Sequence, residues 1–205
     1  MIRFDWSIED VSSLQRESVP EGAVRIESPS SDDTMMRAAA PIAVALCLLM
    51  TGIVFAKTRA CHEAVVSPWG IFAGCATGCL LLVVHELLHA IVYPKEASVT
   101  VGKMRGKLVF VALASYPMKR RRFIQMCLLP YMLGLVPLAA FLFSPPANHL
   151  LNGMMFGMAC MGMISPYPDV YNVLLVLKGS SKKDCIMFYE DDLYRISALA
   201  GGGLT

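Results

Sequence analysis

The sequence predicts an all-α polytopic membrane protein, with about four transmembrane helices and a small membrane-adjacent β-hairpin between the second and third helices. The first observation is composition: hydrophobic residues make up 56% of the 205 residues and charged residues only 17%. The second is that the charges are confined to a few blocks separated by long apolar runs. This combination is typical of chains that cross a lipid bilayer several times, and we expect no nucleic-acid partner.

Four apolar runs define the predicted transmembrane helices, at about residues 38–56, 68–93, 123–144 and 149–178. Each is long enough to cross a hydrocarbon core of about 30 Å at the helical rise of about 1.5 Å per residue. The fourth run is interrupted by the sequence SPYPD at 165–169. Because two prolines so close together cannot lie inside a regular helix, we expect a break there and a second short helix after it.

The distribution of basic residues predicts the orientation. Of the 18 lysines and arginines, all but Lys57 and Arg59 lie in the two termini or in the loop between the second and third runs. Cytoplasmic segments carry such an excess of positive charge, so both termini are predicted to be cytoplasmic. The chain then divides into an N-terminal cytoplasmic segment (1–37), a membrane-embedded domain (38–178) and a cytoplasmic tail (179–205).

Two segments outside the apolar runs have β character. The sequences SVTV and KLVFVALAS, within residues 98–115, are rich in β-branched residues, and GKMRG between them supplies turn-forming glycines. A β-hairpin close to the membrane is therefore predicted there. In the N-terminal segment, GAVRIES is the one strand-like piece. The basic sequence MKRRRF at 118–123 opens the third run, and anchoring of the topology is the favoured interpretation of it.

The second run contains the polar sequence HELLH. Residues four apart share one face of a helix, so His85 and His89 can both direct a ring nitrogen at one metal ion, as in zinc hydrolases. Zinc held in this way lowers the pKa of a bound water to about 7, and Glu86 is placed to take a proton from that water as it attacks a carbonyl. The motif would arise by chance roughly 0.003 times in a chain of this composition.

The alternative for this motif is structural: two buried histidines hydrogen-bonded to other helices, with Glu86 as a partner. The predicted spans offer them few polar partners and no Lys or Arg before Lys178, the last residue of the fourth run. An ionisable residue within a membrane helix also costs on the order of 2.5–3.5 kcal/mol on insertion scales, so such residues are usually functional. The metal-binding interpretation is therefore favoured.

Asp169 is the leading candidate for a third ligand, because it is the only other acidic side chain in the predicted spans. Its depth below the cytoplasmic boundary matches that of the HELLH sequence, whereas His62 and His149 fall on the opposite side. The alternative role for Asp169 is a plain N-cap of the second short helix. Asn172, on nearly the same helix face, either hydrogen-bonds a ligand or the oxyanion, or bridges two helices.

The sequences HELLHAIVYP, RRRFIQMCLLPYMLGLVP and DVYN, within roughly residues 70–178, resemble the zincin peptidase family of small bacterial membrane proteins. The arrangement is also similar to the site-2 protease type of intramembrane zinc metalloproteases. The resemblance implies a protein of the bacterial cytoplasmic membrane that cleaves a membrane-associated protein or peptide substrate, with Glu86 as the general base. It implies Zn²⁺ held by three residues: His85, His89 and Asp169.

The sequence departs from these families near the third ligand. The site-2 group usually has Gly directly after its Asp, where Val170 stands here, and Pro168 occupies a place where the small family often has Gly. Two other functions stay open: a non-catalytic scaffold or binding protein with a structural metal site, and a metal transporter or sensor. Retention of Glu86 favours the peptidase over the scaffold, and the scarcity of ligating residues along the spans disfavours transport.

Overall fold

The computed structural model describes residues 2–8, 18–29, 32–104, 110–189 and 192–197. These residues are mostly helical and fall into two compact units. The first, here called the sheet unit, comprises Met1–Ala38, Glu86–Leu129 and Asp169–Thr205. The second, here called the helix unit, comprises Ala39–His85 and Pro130–Pro168.

Seven helices and seven short strands account for the regular structure of the described residues. The helices are α1 (Asp32–Cys61), α2 (Pro68–Leu80), α3 (Leu82–Val92), α4 (Arg120–Leu128), α5 (Met132–Phe143), α6 (His149–Ile164) and α7 (Tyr167–Gly179). A 3₁₀ turn, Leu129–Tyr131, joins α4 to α5. The strands are β1 (Ile2–Ile8), β2 (Val24–Arg25), β3 (Val99–Met104), β4 (Phe110–Leu113), β5 (Met118–Lys119), β6 (Cys185–Tyr189) and β7 (Asp192–Ile196).

Three stretches of the described chain are long and apolar enough to cross a membrane, namely Asp33–Cys61, Pro68–Val92 and Arg120–Phe143. Large hydrophobic side chains are exposed along them: Trp69 is 78% exposed and Phe143 is 88% exposed. Stretches of this length and composition suggest a membrane protein. The three stretches correspond to the first three predicted spans.

The fourth predicted span, 149–178, is not one continuous helix. Helix α6 has 16 residues, which reach about 24 Å, less than a hydrocarbon core of about 30 Å. The chain turns at Ser165 and Pro166, within the segment where the prolines predict a break, and α7 begins at Tyr167. Pro168 fits the first turn of α7, where a missing N–H costs no helical hydrogen bond. The described residues therefore contain three candidate stretches of spanning length and composition, and the predicted count of four is not confirmed.

In the helix unit, glycines let the helices approach to backbone contact. A Cβ atom added at Gly74 of α2 would overlap the carbonyl group of Met154 in α6. One added at Gly134 of α5 would lie 2.6 Å from the carbonyl carbon of Gly162 in α6. A side chain at either position would force the helices apart. Small residues are the usual means by which membrane helices approach so closely.

Lys57 lies near the carboxyl end of α1 and binds groups inside the helix unit. Its ammonium donates to the carbonyl oxygens of Phe141 and Ser144, the latter at 2.8 Å, where α5 ends. It also lies 4.4 Å from the centroid of the Phe141 ring and 3.5 Å from Oδ1 of the buried Asn152. Lys57 lies just beyond the predicted run 38–56 but within the candidate stretch Asp33–Cys61. Helix α1 continues past the predicted run 38–56, and its lysine is used within the unit.

The sheet unit contains two small sheets. In the first, with strand order β1-β3-β4, β3 pairs with β1 in parallel and with β4 in antiparallel orientation. In the second, with order β2-β7-β6-β5, all neighbours are antiparallel. Strands β3 and β4 lie in the segment 98–115, where a hairpin is predicted, and the residues 105–109 between them lie outside the described residues. In GAVRIES, only the two residues of β2 are strand.

The prediction of an all-α chain with one hairpin underestimates this β structure. Strands of two to seven residues whose partners lie far away in sequence give little local pattern that distinguishes them from loops. Their buried residues join those of α3, α4 and α7 in one hydrophobic core, which includes Val99, Ile186, Ala90, Phe123 and Val176. This core fixes the three helices that carry the candidate site.

Candidate metal centre

Helix α3 carries the HELLH sequence. His85 and His89 lie one turn apart on it, and each is only 9% exposed. Glu86, between them, is half-buried. Because α3 is uninterrupted from Leu82 to Val92, its backbone holds the two imidazoles on one face, as the spacing predicts.

Asp169 lies in the first turn of α7 and faces His89. Its Oδ2 is 3.4 Å from Nε2 of the imidazole, and both residues belong to the sheet unit. Their side chains are 17% and 11% exposed, respectively. The structure thus brings an acid and a histidine that are 80 positions apart in sequence into a largely buried pair.

The second ring nitrogen of His89 is held by α4. Nδ1 lies 2.9 Å from the carbonyl oxygen of Met126. Because a carbonyl only accepts, Nδ1 carries the proton of this contact, and Nε2, which faces Asp169, is the nitrogen left for a metal. Metal-binding histidines are usually oriented by such a hydrogen bond from their second nitrogen. Sequence analysis missed this partner, because every residue has a backbone carbonyl and no side-chain pattern marks it.

The donor atoms fit a zinc ion. One ligand atom each from His85, His89 and Asp169 lies within 4.8 Å of the other two. Two ligands of a tetrahedral zinc, with bonds of about 2.0–2.2 Å, lie about 3.4 Å apart. The 3.4 Å between His89 Nε2 and Asp169 Oδ2 matches this separation. Two imidazole nitrogens and a carboxylate oxygen are also ligands that zinc prefers.

The remaining predicted site residues lie on the same helices. The charge of Glu86 acts on the imidazole of His89 one turn away. Asn172 follows Asp169 by three residues on α7 and is 7% exposed, so its amide is buried on the helix that carries the acid. In the parts of the chain that the structure describes, no second group of three metal-binding side chains is found.

Comparison with known proteins adds a family. A family described as "Putative zincin peptidase" has a model that matches residues 78–185. The match covers slightly more than half of the 205 residues and spans the helices from α3 to α7. Neither a curated protein nor a solved structure matches the chain.

Proposed function

Because the chain belongs to the zincin peptidase family, we propose that it is a membrane-embedded zinc metallopeptidase. Its reaction is the hydrolysis of a peptide bond in a membrane-associated protein or peptide substrate. The observation that carries this proposal is the imidazole of His89, which is held by Met126 at one nitrogen and faces Asp169 at 3.4 Å with the other. This arrangement prepares Nε2 as a metal ligand.

The candidate residues divide the chemistry among them. His85, His89 and Asp169 would hold the zinc. When bound, zinc supplies a water acidified to a pKa of about 7 and polarises the substrate carbonyl. Glu86 accepts the proton of the attacking water and delivers it to the leaving nitrogen, so that the peptide bond becomes a carboxylate and an amine. Asn172 orients the ligand carboxylate or donates to the oxyanion.

The orientation follows from the charges of the two units. All but two of the 18 lysines and arginines fall within the sequence ranges of the sheet unit, and only Lys57 and Arg59 fall within those of the helix unit. By the positive-inside rule, both termini and the loop between α3 and α4 face the cytoplasm. The membrane, by the family resemblance, is the bacterial cytoplasmic membrane.

Strand β4 offers a way to hold an extended substrate. It is the last strand in the order β1-β3-β4, so one of its edges has no strand partner among the described residues. The hydroxyl of Tyr93, directly after α3, donates to the carbonyl of Ala114, directly after β4, at 3.4 Å. A peptide added to this edge would therefore lie beside a strand that is tied to the HELLH helix. Proline at Val111 should reduce cleavage, and unchanged cleavage would overturn this mode of substrate binding.

Zinc content of the detergent-purified protein, measured by mass spectrometry, tests the proposal. Wild type should carry about one zinc per chain, because the set of nitrogen and oxygen ligands is complete. Alanine at His89 or Asp169 should abolish binding, whereas Glu86→Gln should keep the zinc. The matched control is His149→Ala, a histidine outside the metal group, which should bind zinc as wild type does. A wild type that stays free of zinc after zinc is supplied would overturn the proposal.

Cleavage assays separate a peptidase from a scaffold with a structural metal site. A library of peptides from bacterial transmembrane segments, analysed by mass spectrometry, should be cut by wild type and by His149→Ala. Glu86→Gln should lose about 10²–10⁴-fold in rate, because the general base is removed while the metal stays. Zinc binding without a difference between wild type and Glu86→Gln would favour the scaffold.

A further inference from the structure

The first turn of α4 places an arginine at the end of the HELLH helix. Arg122 donates from Nε to the carbonyl of Val92 at 2.5 Å and from Nη2 to the carbonyl of Tyr93 at 3.1 Å. Val92 is the last residue of α3. The carbonyls of the last turn of a helix receive no hydrogen bond from an N–H of the same helix, so they can accept one from elsewhere. One guanidinium thus supplies two donors and a positive charge at the negative end of the helix dipole.

A second arginine of the same turn contacts the helix that carries Asp169. Nη2 of Arg120 lies 3.4 Å from the carbonyl oxygen of Leu177, in the last turns of α7. The backbone N–H of Arg120 also donates to the carbonyl of Asp184 at 3.1 Å, just after that helix. Two arginines of α4 therefore hold the carboxyl ends of both helices that carry candidate ligands.

Helix α4 meets α3 a second time, at the metal centre itself. The carbonyl of Met126, four residues after Arg122, accepts the proton of His89 Nδ1. Phe123 and Met126 are 1% and 4% exposed in the core of the sheet unit, so α4 is itself fixed. If α3 slid or turned against α4, the bonds of Arg122 and the bond to Met126 would be lost together.

We propose that Arg122 is a positioning residue for the metal centre, which holds α3 against α4 so that the Met126 carbonyl keeps the His89 proton on Nδ1. Its effect on zinc affinity rests on the proposed function. This role differs from anchoring of the topology, because anchoring needs only positive charge, whereas positioning needs the two hydrogen bonds. Arg121 can distinguish the anchoring role from the positioning role. It is exposed and carries the same charge, but it makes no hydrogen bond to the described residues.

The first measurement is the zinc dissociation constant, from competition with a chelator. Arg122→Met should weaken zinc binding by about 10–100-fold, the usual effect of losing a group that orients a ligand. Arg121→Met removes the same charge from the same helical turn and should leave the constant unchanged. Arg122→Lys keeps the charge and can donate to one carbonyl, so it should restore part of the affinity.

The second measurement does not need zinc. Nitrogen NMR of histidine-labelled, metal-free protein reports the tautomer of His89, whose signal is identified by its loss in His89→Ala. In the neutral form of the imidazole, which the nitrogen signals themselves identify, wild type and Arg121→Met should hold the proton on Nδ1, and Arg122→Met should give a mixture of tautomers.

The outcomes separate this inference from the proposed function. If Arg122→Met matches Arg121→Met in both measurements, the inference is overturned. A wild type that binds no zinc, but whose His89 tautomer changes only in Arg122→Met, overturns the proposed function and supports the inference. Should Arg122→Met fail to fold, Arg122→Lys decides: a mixed tautomer supports the inference, and wild-type values in both measurements overturn it.

Discussion

The helix unit and the sheet unit are held together by opposite means. In the helix unit, α2 and α6 meet at glycines such as Gly74, where helix backbones touch. In the sheet unit, large side chains fill the core; the rings of Phe123 and Phe188, for example, have centroids 5.2 Å apart. His89 in the same unit is hydrogen-bonded to a backbone carbonyl. The first unit is therefore sensitive to added atoms, and the second to removed ones.

This difference bears on the partners of His89 and Asp169 in the sheet unit, although the helix unit also holds buried polar groups, His85 at its boundary and Asn152 in its interior. Helices that meet through glycine backbones have few side chains at their contact, so they offer few partners to a buried polar group. A buried histidine or carboxylate needs such partners. A buried neutral polar group without a hydrogen bond costs about 1–3 kcal/mol of folding free energy, and a charged group costs more. His89 and Asp169 accordingly lie in the unit where α4 can supply the carbonyl of Met126.

The largest expected effect is that of a side chain added where the helices touch. Gly74→Leu should destabilise the helix unit by about 3 kcal/mol or more, because the clash is with the backbone of α6, which cannot move aside as a flexible side chain does. We expect little monodisperse protein on size exclusion in detergent. Any purified protein should have a much lower thermal unfolding midpoint.

Gly52 of α1 provides the matched control. A Cβ atom there would meet nothing within 4 Å. Gly52→Leu should therefore be neutral or stabilising by up to about 1 kcal/mol, since leucine is the better helix former. Equal losses at Gly74 and Gly52 would contradict the view that backbone contact, rather than helix propensity, makes the glycines necessary.

Zinc should stabilise the two units unequally. A ligand that binds only the folded state at about 100 times its dissociation constant adds about 2.7 kcal/mol. Hydrogen–deuterium exchange should slow about 100-fold in peptides from the second half of α3 and from α7, which carry His89 and Asp169. Peptides from α2 and α6, in the helix unit, should change little.

The pattern of protection shows whether the two units unfold separately. Equal slowing in both units would mean that they unfold together. Their different packing would then not give them different free energies of unfolding. Loss of the zinc effect in Asp169→Ala, with α2 and α6 exchanging as in wild type, would mean that zinc stabilises the sheet unit alone.

Sequence alone predicts the parts of this molecule that depend on local spacing. The positions of His85 and His89 on one helix face follow from a spacing of four, and the turn before α7 follows from two prolines two residues apart. Asp169 could be singled out by elimination, because charged side chains are scarce in apolar runs. Each of these needs only neighbouring residues or a simple count.

The features that sequence analysis missed depend on contacts between distant segments. Strand β1 pairs with β3 and has no turn or hairpin signal to link the two. The Met126 carbonyl could belong to any residue, and Arg122 looks like one of three equivalent arginines until its partners at the end of α3 are known. Backbone acceptors and long-range pairing carry no residue-type signature, so only the structure reveals them.

The smallest expected effect is that of replacing Lys57, whose ammonium makes polar contacts inside the helix unit. Lys57→Met removes donors to the carbonyls of Phe141 and Ser144 and a cation over the Phe141 ring. We expect a loss of about 1–2 kcal/mol, because polar contacts between membrane helices are worth about that much and the backbone contacts of the glycines remain. The free energy of unfolding in mixed micelles, titrated with a denaturing detergent, measures it.

Arg59→Met is the control, because it removes the same charge two residues later, from an exposed position on the same helix. If both substitutions cost the same, the charge near the end of α1 matters and the contacts of Lys57 do not. If Lys57→Met costs as much as Gly74→Leu, the helix unit depends on its polar contacts as the sheet unit does. A small loss confined to Lys57→Met would instead mean that glycine contacts carry the helix unit, with the lysine closing the end of α5.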